Sequence, residues 1–538
     1  MANLTPVPGW DDVFQLETTT QVLGGPGGPA NTPAQNLVNR TAFLGTSEGT
    51  TRVGHIAAGP GAASRLAQSK LRDAVSVFDY MTAAQIADVK AGTVVLDVTV
   101  PLQAAINAQS WGGTLYFPKG VYKITAALVM KSGLNLIGDS NLDTVFGVNP
   151  FLPDSMPTMI WQETAGQHCI SVISSGAGTR TYADLSIRRI AFHSRIGPAF
   201  TAQPIAGKYG IHFYGTRPFS SYHMTIEECS FYHFERGISV VGYDTGAGVD
   251  WQCDNITVNR CKFNQNTNGI YLSTTNADAW LVSNCTWIIP PNGHGIYFDR
   301  IGYFTVLSGY GVPGYTSIGG VAANTSLFTV AHAGVGSSYH DIIAIIGTAG
   351  SDNLTYFLRV LAGIGTGNNY SSIQLTSCVI EAACLIETRS TILSTGNRFL
   401  GLATVTGADC EISSINDKNS VAGSPWVLNG LRPTFNLFPT DLTETALATT
   451  NADSDLTWYT TKPVVLHVGI LTANISLNCL NTNAPRGARF LISRLGGGAF
   501  NLNVRNAALA NLKVLTTNQW SEVLFNGTEW VLIASGSV

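Results

Sequence analysis

One short phrase recurs in this chain with a cysteine at a fixed place: Ile226-Glu227-Glu228-Cys229-Ser230-Phe231, Val258-Asn259-Arg260-Cys261-Lys262-Phe263, Val282-Ser283-Asn284-Cys285-Thr286-Trp287 and Leu375-Thr376-Ser377-Cys378-Val379-Ile380. Each copy is an apolar residue, two polar or turn-tolerant residues, the cysteine, a spacer and a large apolar residue. It reads as a short strand bent by a tight turn and repeated coil after coil. A second phrase follows the first three copies and has a match upstream: Gly210-Ile211-His212-Phe213, Gly237-Ile238-Ser239-Val240, Gly269-Ile270-Tyr271-Leu272 and Gly295-Ile296-Tyr297-Phe298. Strand alternation sends the cysteines and isoleucines inward in ladders and leaves His212, Ser239, Tyr271 and Tyr297 on an outer face. Both phrases are satisfied by an all-β chain wound as a right-handed parallel β-helix, whose long exposed flank suits a polymeric ligand.

Composition agrees with many turns and few helices. Glycine and proline number 56 and 22, and charged residues make up only 12% of 538 positions. The formal net charge of −4 lacks the basic footprint of a nucleic-acid binder. No stretch approaches 18 consecutive apolar residues, so no membrane insertion is expected, and the first residues lack the basic and apolar regions of a signal peptide. Nine cysteines show no CxxC pair and no histidines at metal spacing, which predicts reduced core thiols with no metal and no cofactor.

Four regions follow. Residues 1–50 hold Gly24-Gly25-Pro26-Gly27-Gly28-Pro29, too broken for regular structure, and then a segment suited to a short helix with Pro33 in its first turn. Residues 51–74 include an Ala-rich stretch, 62–71, that reads as a helical neck or linker. Residues 75–425 carry the β-helix: a strand at 75–80, helical segments at 83–89 and 100–108 that cap the first coils, a strand-turn-strand at 111–124, and a further strand from 134. The repeat is clear from 183 to 300, weakens to 370 and returns at 373. Matched cysteines 32 and then 24 residues apart require insertions, and 242–251 is placed at a corner. Residues 426–538 alternate as short strands, with Asn526-Gly527 marking a hairpin, and suggest a small β-sandwich-like domain.

The opening from Val13-Phe14-Gln15-Leu16 through the Gly/Pro run to Asn39-Arg40-Thr41-Ala42, the entry Val75-Ser76-Val77-Phe78-Asp79-Tyr80 with Leu102-Gln103-Ala104-Ala105-Ile106, and Gly113-Thr114-Leu115-Tyr116-Phe117-Pro118-Lys119-Gly120-Val121-Tyr122 resemble bacteriophage and prophage tailspikes. These are receptor-binding depolymerases with a pectate-lyase-like β-helix. The end of the chain is similar to the small β-domains that close tail proteins. One departure is Val94-Val95-Leu96-Asp97-Val98-Thr99-Val100, where relatives often carry an acidic Asp-Gly stretch. The resemblance implies a virion protein of the phage tail, attached to a baseplate or tail protein through its N-terminal segment. It also implies a homotrimer of side-by-side helices that binds and cuts capsule, exopolysaccharide or O-antigen, and it leaves hydrolysis and β-elimination both open.

Glycoside hydrolysis needs two carboxyl groups across the scissile bond. Alternation turns Glu227 outward, and Asp250 lies on the corner insertion beside Trp251, so Asp250 and Glu227 are the first pair, with Asp299 and Asp244 in reserve. His212, Tyr214, Tyr271 and Tyr297 form a strip on which sugars could stack, while Trp251 and Trp280 stand at corners. Arg217 and Arg300, with Lys208 and Arg236, could meet an acidic sugar. Glu235 reads as the ion-pair partner of Arg236. A lyase would use a basic residue to neutralise a uronate and His212 or a lysine as base, with His223 and His233 nearby. No Gly-x-Ser-x-Gly elbow supports a serine deacetylase. A third reading is a non-catalytic, glycan-binding tail adhesin.

Overall fold

The computed structural model describes residues 6–537 apart from 11, 14, 17–27, 47, 74, 141–156, 175–179, 195–203, 216–218, 242, 245–248, 251, 275–276, 301, 315–323, 332–339, 352, 362–369, 388–389, 407–409, 416, 420–425, 429–433, 439–446, 449–451, 458–463, 468–469, 483 and 485. Among these, strands gather into one parallel sheet of 22 strands and a second of 11. Each coil contributes a bent pair of strands to the long sheet and one strand to the eleven-stranded sheet. Phe219–Glu227, Ser230–Tyr232 and Phe234–Val241 make one coil; Gln252–Asn259, Lys262–Asn264 and Asn268–Ser273 make the next. Corresponding residues pair in parallel, Ile226 with Val258, Val258 with Val282 and Val282 with Val306. The chain is a right-handed parallel β-helix, the hand that parallel crossovers take.

The cysteine phrase is the bend. The residue before each cysteine is left-handed: Glu228 (φ 52), Arg260 (φ 51), Asn284 (φ 54) and Ser377 (φ 54). A non-glycine residue in this region costs on the order of 1 kcal/mol. The bend is held because its N–H is donated to the next coil, from Glu228 to the carbonyl of Asn259 and from Arg260 to that of Ser283, both at 2.9 Å. Cys229, Cys261, Cys285 and Cys378 then turn inward and are buried, as are the other five cysteines. The last residue of the phrase builds an internal aromatic column, Phe192 on Phe231 at 5.2 Å, Phe231 on Phe263 at 5.1 Å and Phe263 on Trp287 at 6.0 Å. Each such side chain gains roughly 1.5–3 kcal/mol from burial.

That column explains the glycine phrase. A Cβ on Gly210, Gly237 or Gly269 would stand 2.5–2.6 Å from the carbonyl oxygen of the next glycine and 2.6–2.9 Å from the ring of Phe231, Phe263 or Trp287. The glycines therefore provide space for rings. It also explains the weakened repeat after 300, where the coils continue through Tyr303–Pro313 and His340–Gly350. Gly309 and Gly311 take the register positions of Cys285 and Trp287. The side chains of Trp287 and Leu327 fill the room beside them.

Two entry elements differ from expectation. Only Val75–Ser76 is strand; Val77–Tyr80 is a 3-10 turn, because Ser76 and Asp79 form a reciprocal capping box. In the Ala-rich stretch, helix is limited to Ala67–Leu71, preceded by the strand Arg65–Leu66, which pairs back to Gly54–His55. The helix with Pro33 in its first turn is Thr32–Leu44. Ala83–Ala91, with a Thr82/Gln85 capping box and a left-handed Gly92, and Thr99–Ala108 supply Val89, Leu102, Ala105 and Ile106 to the core of the first coils.

A second core centred on Phe490, Ile492, Val504, Val523 and Trp530 lies between a five-stranded and a four-stranded sheet. Their first strands pair in parallel and their last antiparallel; Gln519–Phe525 and Trp530–Ser537 meet through the Asn526-Gly527 turn, with Gly527 at φ 100.

Candidate functional site

The outer face of the eleven-stranded sheet is laid down in rows by its register. One row runs Ser171, His212, Ser239, Tyr271, Tyr297, Thr329, Arg359. A second is made by the residues before the glycine phrase, Tyr209, Arg236, Asn268 and His294, and continues to Ser326 and Tyr356. Tyr271 and Tyr297 stack in parallel at 5.4 Å. The guanidinium of Arg236 sits 3.6 Å from the ring centroid of Tyr271 and 4.9 Å from that of Tyr209, and it pairs with Glu235 at 3.3 Å. Asp299, just past the tyrosine row, accepts hydrogen bonds from the Ser273 hydroxyl at 2.8 Å and the Tyr271 phenol at 3.4 Å. Burial, then the Asp299 charge, pushes the Tyr271 phenol up to about 12, so it stays protonated and donates.

At the upstream end, His212 stacks on Tyr214 at 4.6 Å and meets Tyr209 and His168 edge-on at 4.7 and 4.5 Å. Burial holds His212 down to about 3 and His168 to about 4, so both imidazoles are neutral near pH 7. Tyr214 remains 38% exposed and offers an open ring face.

The expected residues do not all converge. Glu227 projects from the long sheet, a different face, where it pairs with Arg188 at 3.6 Å and Arg260 at 3.5 Å and accepts from Asn259 at 3.0 Å. Gln252, two residues after Asp250, pairs with Ser220, and Glu227 lies seven positions further along that strand. Glu227 thus projects from a different sheet from the one that carries the tyrosine row. Trp280 is core, 1% exposed, with its indole N–H donated to the carbonyl of Cys253. Lys208 is fully buried, its ammonium donating to the carbonyls of Gln162, Glu163 and Ser194 at 2.9, 3.3 and 2.7 Å, so it offers nothing to a sugar. His223 and His233 are left-handed corner residues away from His212's row.

Arg217 and Trp251 lie outside the described residues, as do the side chains of Asp244, Asp250 and Arg300. Their strands are informative nonetheless. Tyr243–Asp244 pairs antiparallel with Val249–Asp250 as a small hairpin. It leaves the eleven-stranded sheet just after Val241, whose register partner is Ser273. The insertion thus springs from the end of the sheet at which Asp299 sits.

Sequence reasoning passed over Tyr209, His294, Thr329, Tyr356 and Arg359. The first two were within reach, since they and Arg236 occupy the place before the recurring glycine. Among the described residues no cluster of His, Cys, Asp and Glu has the form of a metal site, and no helix is long and apolar enough to cross a membrane.

Residues 90–297 match the family described as rhamnogalacturonase A/epimerase, pectate lyase-like. Among solved structures, the chain is similar to the A-module of an Azotobacter vinelandii mannuronan C-5 epimerase, at 16% identity over 68% of this chain and 100% of that one, with a TM-score of 0.39. It is similar to the DFA-IIIase of Arthrobacter chlorophenolicus at 12% identity, 68% and 94% coverage and a TM-score of 0.44. For the tailspike protein of Escherichia coli bacteriophage HK620 in complex with pentasaccharide, the identity is 11%, the coverage 93% and 98%, and the TM-score 0.41. The sequences of curated proteins give no match. At these TM-scores the fold rests on the strand pairing above.

Proposed function

We propose that this chain is a bacteriophage tailspike that binds a bacterial surface polysaccharide along the outer face of its eleven-stranded sheet and cleaves it internally by glycoside hydrolysis. The observation that carries this reading is Asp299, held by Ser273 and Tyr271 beside a tyrosine row that follows the helix axis. A polymer laid along that axis meets Tyr271 and Tyr297 on successive rungs, ~4.8 Å apart. A carboxylate that accepts two hydroxyl hydrogen bonds is suited to act as base or nucleophile. The acid partner is Asp250 or Asp244 of the hairpin at the same sheet end. Glu227, pinned between arginines on another face, is left a structural role.

β-Elimination on the same scaffold is the weaker reading. His212, its proposed base, titrates near 3 because of burial and is a poor proton acceptor at neutral pH. Trimerisation finds support on the long sheet, where Leu307 and Leu393 are 45% and 38% exposed and Leu307 pairs with Ile346 in register. Side-by-side packing of three helices would cover that face. In this reading residues 1–50 attach to the phage baseplate or tail, 51–74 form the neck, and 426–538 serve trimerisation or glycan binding.

The test is product analysis on purified capsules, exopolysaccharides and O-antigens. Saturated oligosaccharides with new reducing ends are expected, and Asp299→Asn should abolish them while glycan binding persists. Unsaturated uronates would establish a lyase, and binding without any product an adhesin.

A further inference from the structure

Arg236 and Arg359 bracket the tyrosine pair on the outer face; among the described residues Arg236 has a counter-ion and Arg359 has none. Arg236 reaches Glu235 at 3.3 Å. Arg359 lies over the Tyr356 ring at 5.3 Å, its Nε is buried with no hydrogen-bond partner, and no carboxylate among the described residues meets it. A buried guanidinium nitrogen left without an acceptor is unfavourable unless a ligand supplies one.

The neighbours of Arg359 are ordered in a way that exposes one acceptor. Thr329 donates to the Ser326 hydroxyl at 2.9 Å, and Ser326 donates to the Phe328 carbonyl at 2.9 Å. The 2.8 Å contact between Thr329 and Nδ1 of His294 must then be a donation from the imidazole, leaving the Nε2 lone pair as an acceptor. His294 is held down to about 4 by burial and by the Arg359 charge, so it adds no second cation near pH 7. Thr329 and Arg359 are register partners, and Thr329 is the partner of Tyr297. Acceptor and stacking ring therefore share one rung, and the cation stands two rungs further on, about 9.6 Å along the axis.

We propose that Arg359, with His294, is a subsite for an acidic sugar, the guanidinium taking the carboxylate in a charge-assisted pair and the imidazole accepting a hydroxyl. This rests on the glycan reading above and narrows it: the polysaccharide carries carboxylates, as uronate or pyruvyl groups, and runs past Tyr271 and Tyr297 toward Arg359. Four inter-strand steps separate the Arg236 and Arg359 strands, about 19 Å, so the occupied face spans several sugars.

The experiment uses the full chain and a panel of acidic and neutral bacterial polysaccharides, each acidic one also in carboxyl-reduced form. Wild type should bind an acidic glycan and lose about tenfold or more on its reduction. Arg359→Gln should lose a similar factor on the native glycan and nothing on the reduced one, with Arg359→Lys intermediate. Should Arg359→Gln misfold, the reduced glycan on wild type still decides. Selective binding of neutral glycans, or an Arg359→Gln variant that binds acidic glycans as wild type does, overturns the subsite while leaving glycan cleavage standing. Binding of no glycan overturns both.

Discussion

Replacing Gly311 by alanine would place a Cβ 2.5 Å from Cδ1 of Leu327 and 2.9 Å from its Cδ2. Gly311 has no left-handed backbone to explain the glycine, so the penalty should be steric, about 1–3 kcal/mol for overpacking. Leu327 is fully buried, and Leu327→Ala should cost about 2–5 kcal/mol. In the double variant the new methyl enters the volume that the leucine vacates, so the combined loss should fall short of the sum by about 1–3 kcal/mol. A β-helix of this length need not refold reversibly, so unfolding rates at one temperature are the suitable readout. The double variant should unfold roughly tenfold or more slowly than the two single effects predict. Additivity within about 0.5 kcal/mol would refute the claim that Gly311 is glycine because Leu327 fills its place.

Acid should destabilise the chain between about pH 6.5 and 4. The unfolded state takes up protons there that His212, held near 3, and His168 and His294, held near 4, refuse in the folded state. For His212, the most buried of them, the full loss is of order a few kcal/mol at ~1.4 kcal/mol per pH unit; a thermal midpoint that ignores pH in this window, or is unaltered in slope by His212→Asn, contradicts it. Glu227→Gln should leave cleavage intact and cost under about 1 kcal/mol, since its arginine pairs are partly solvated; lost cleavage would return Glu227 to the site. Lys208→Met removes the donor to three carbonyls, and unfolding rates at one temperature should rise by the equivalent of several kcal/mol, at ~1–3 per buried unmet group.

Much of the coil was legible because its constraints are local. A left-handed bend followed by an inward cysteine, and a glycine beside a ring, recur at fixed offsets. What failed to show was set by partners on neighbouring coils. Leu327 and Phe357 stand in the column of the recurring glycine, so the phrase dissolves there and the Arg359 coil goes unrecognised, although its pairing is unbroken. The flank that Glu227 occupies was hidden for a different reason. Alternation tells outward from inward but not which flank of the helix a strand occupies, and Glu227 is outward on the long sheet. The strand expected at 75–80 yielded to side chains, since the Ser76–Asp79 box satisfies backbone groups that a longer strand would have needed to pair.

The two corners of a coil differ in their tolerance of length. From the left-handed residue to the aromatic column every offset is fixed, whereas the variation between 24 and 32 residues per turn falls in the segments that leave the eleven-stranded sheet. Such a chain resembles a rack with interchangeable fittings. New loops can be mounted beside Asp299 and the tyrosine row without disturbing the thiols and rings behind them, so a change at that corner requires no redesign of the rack.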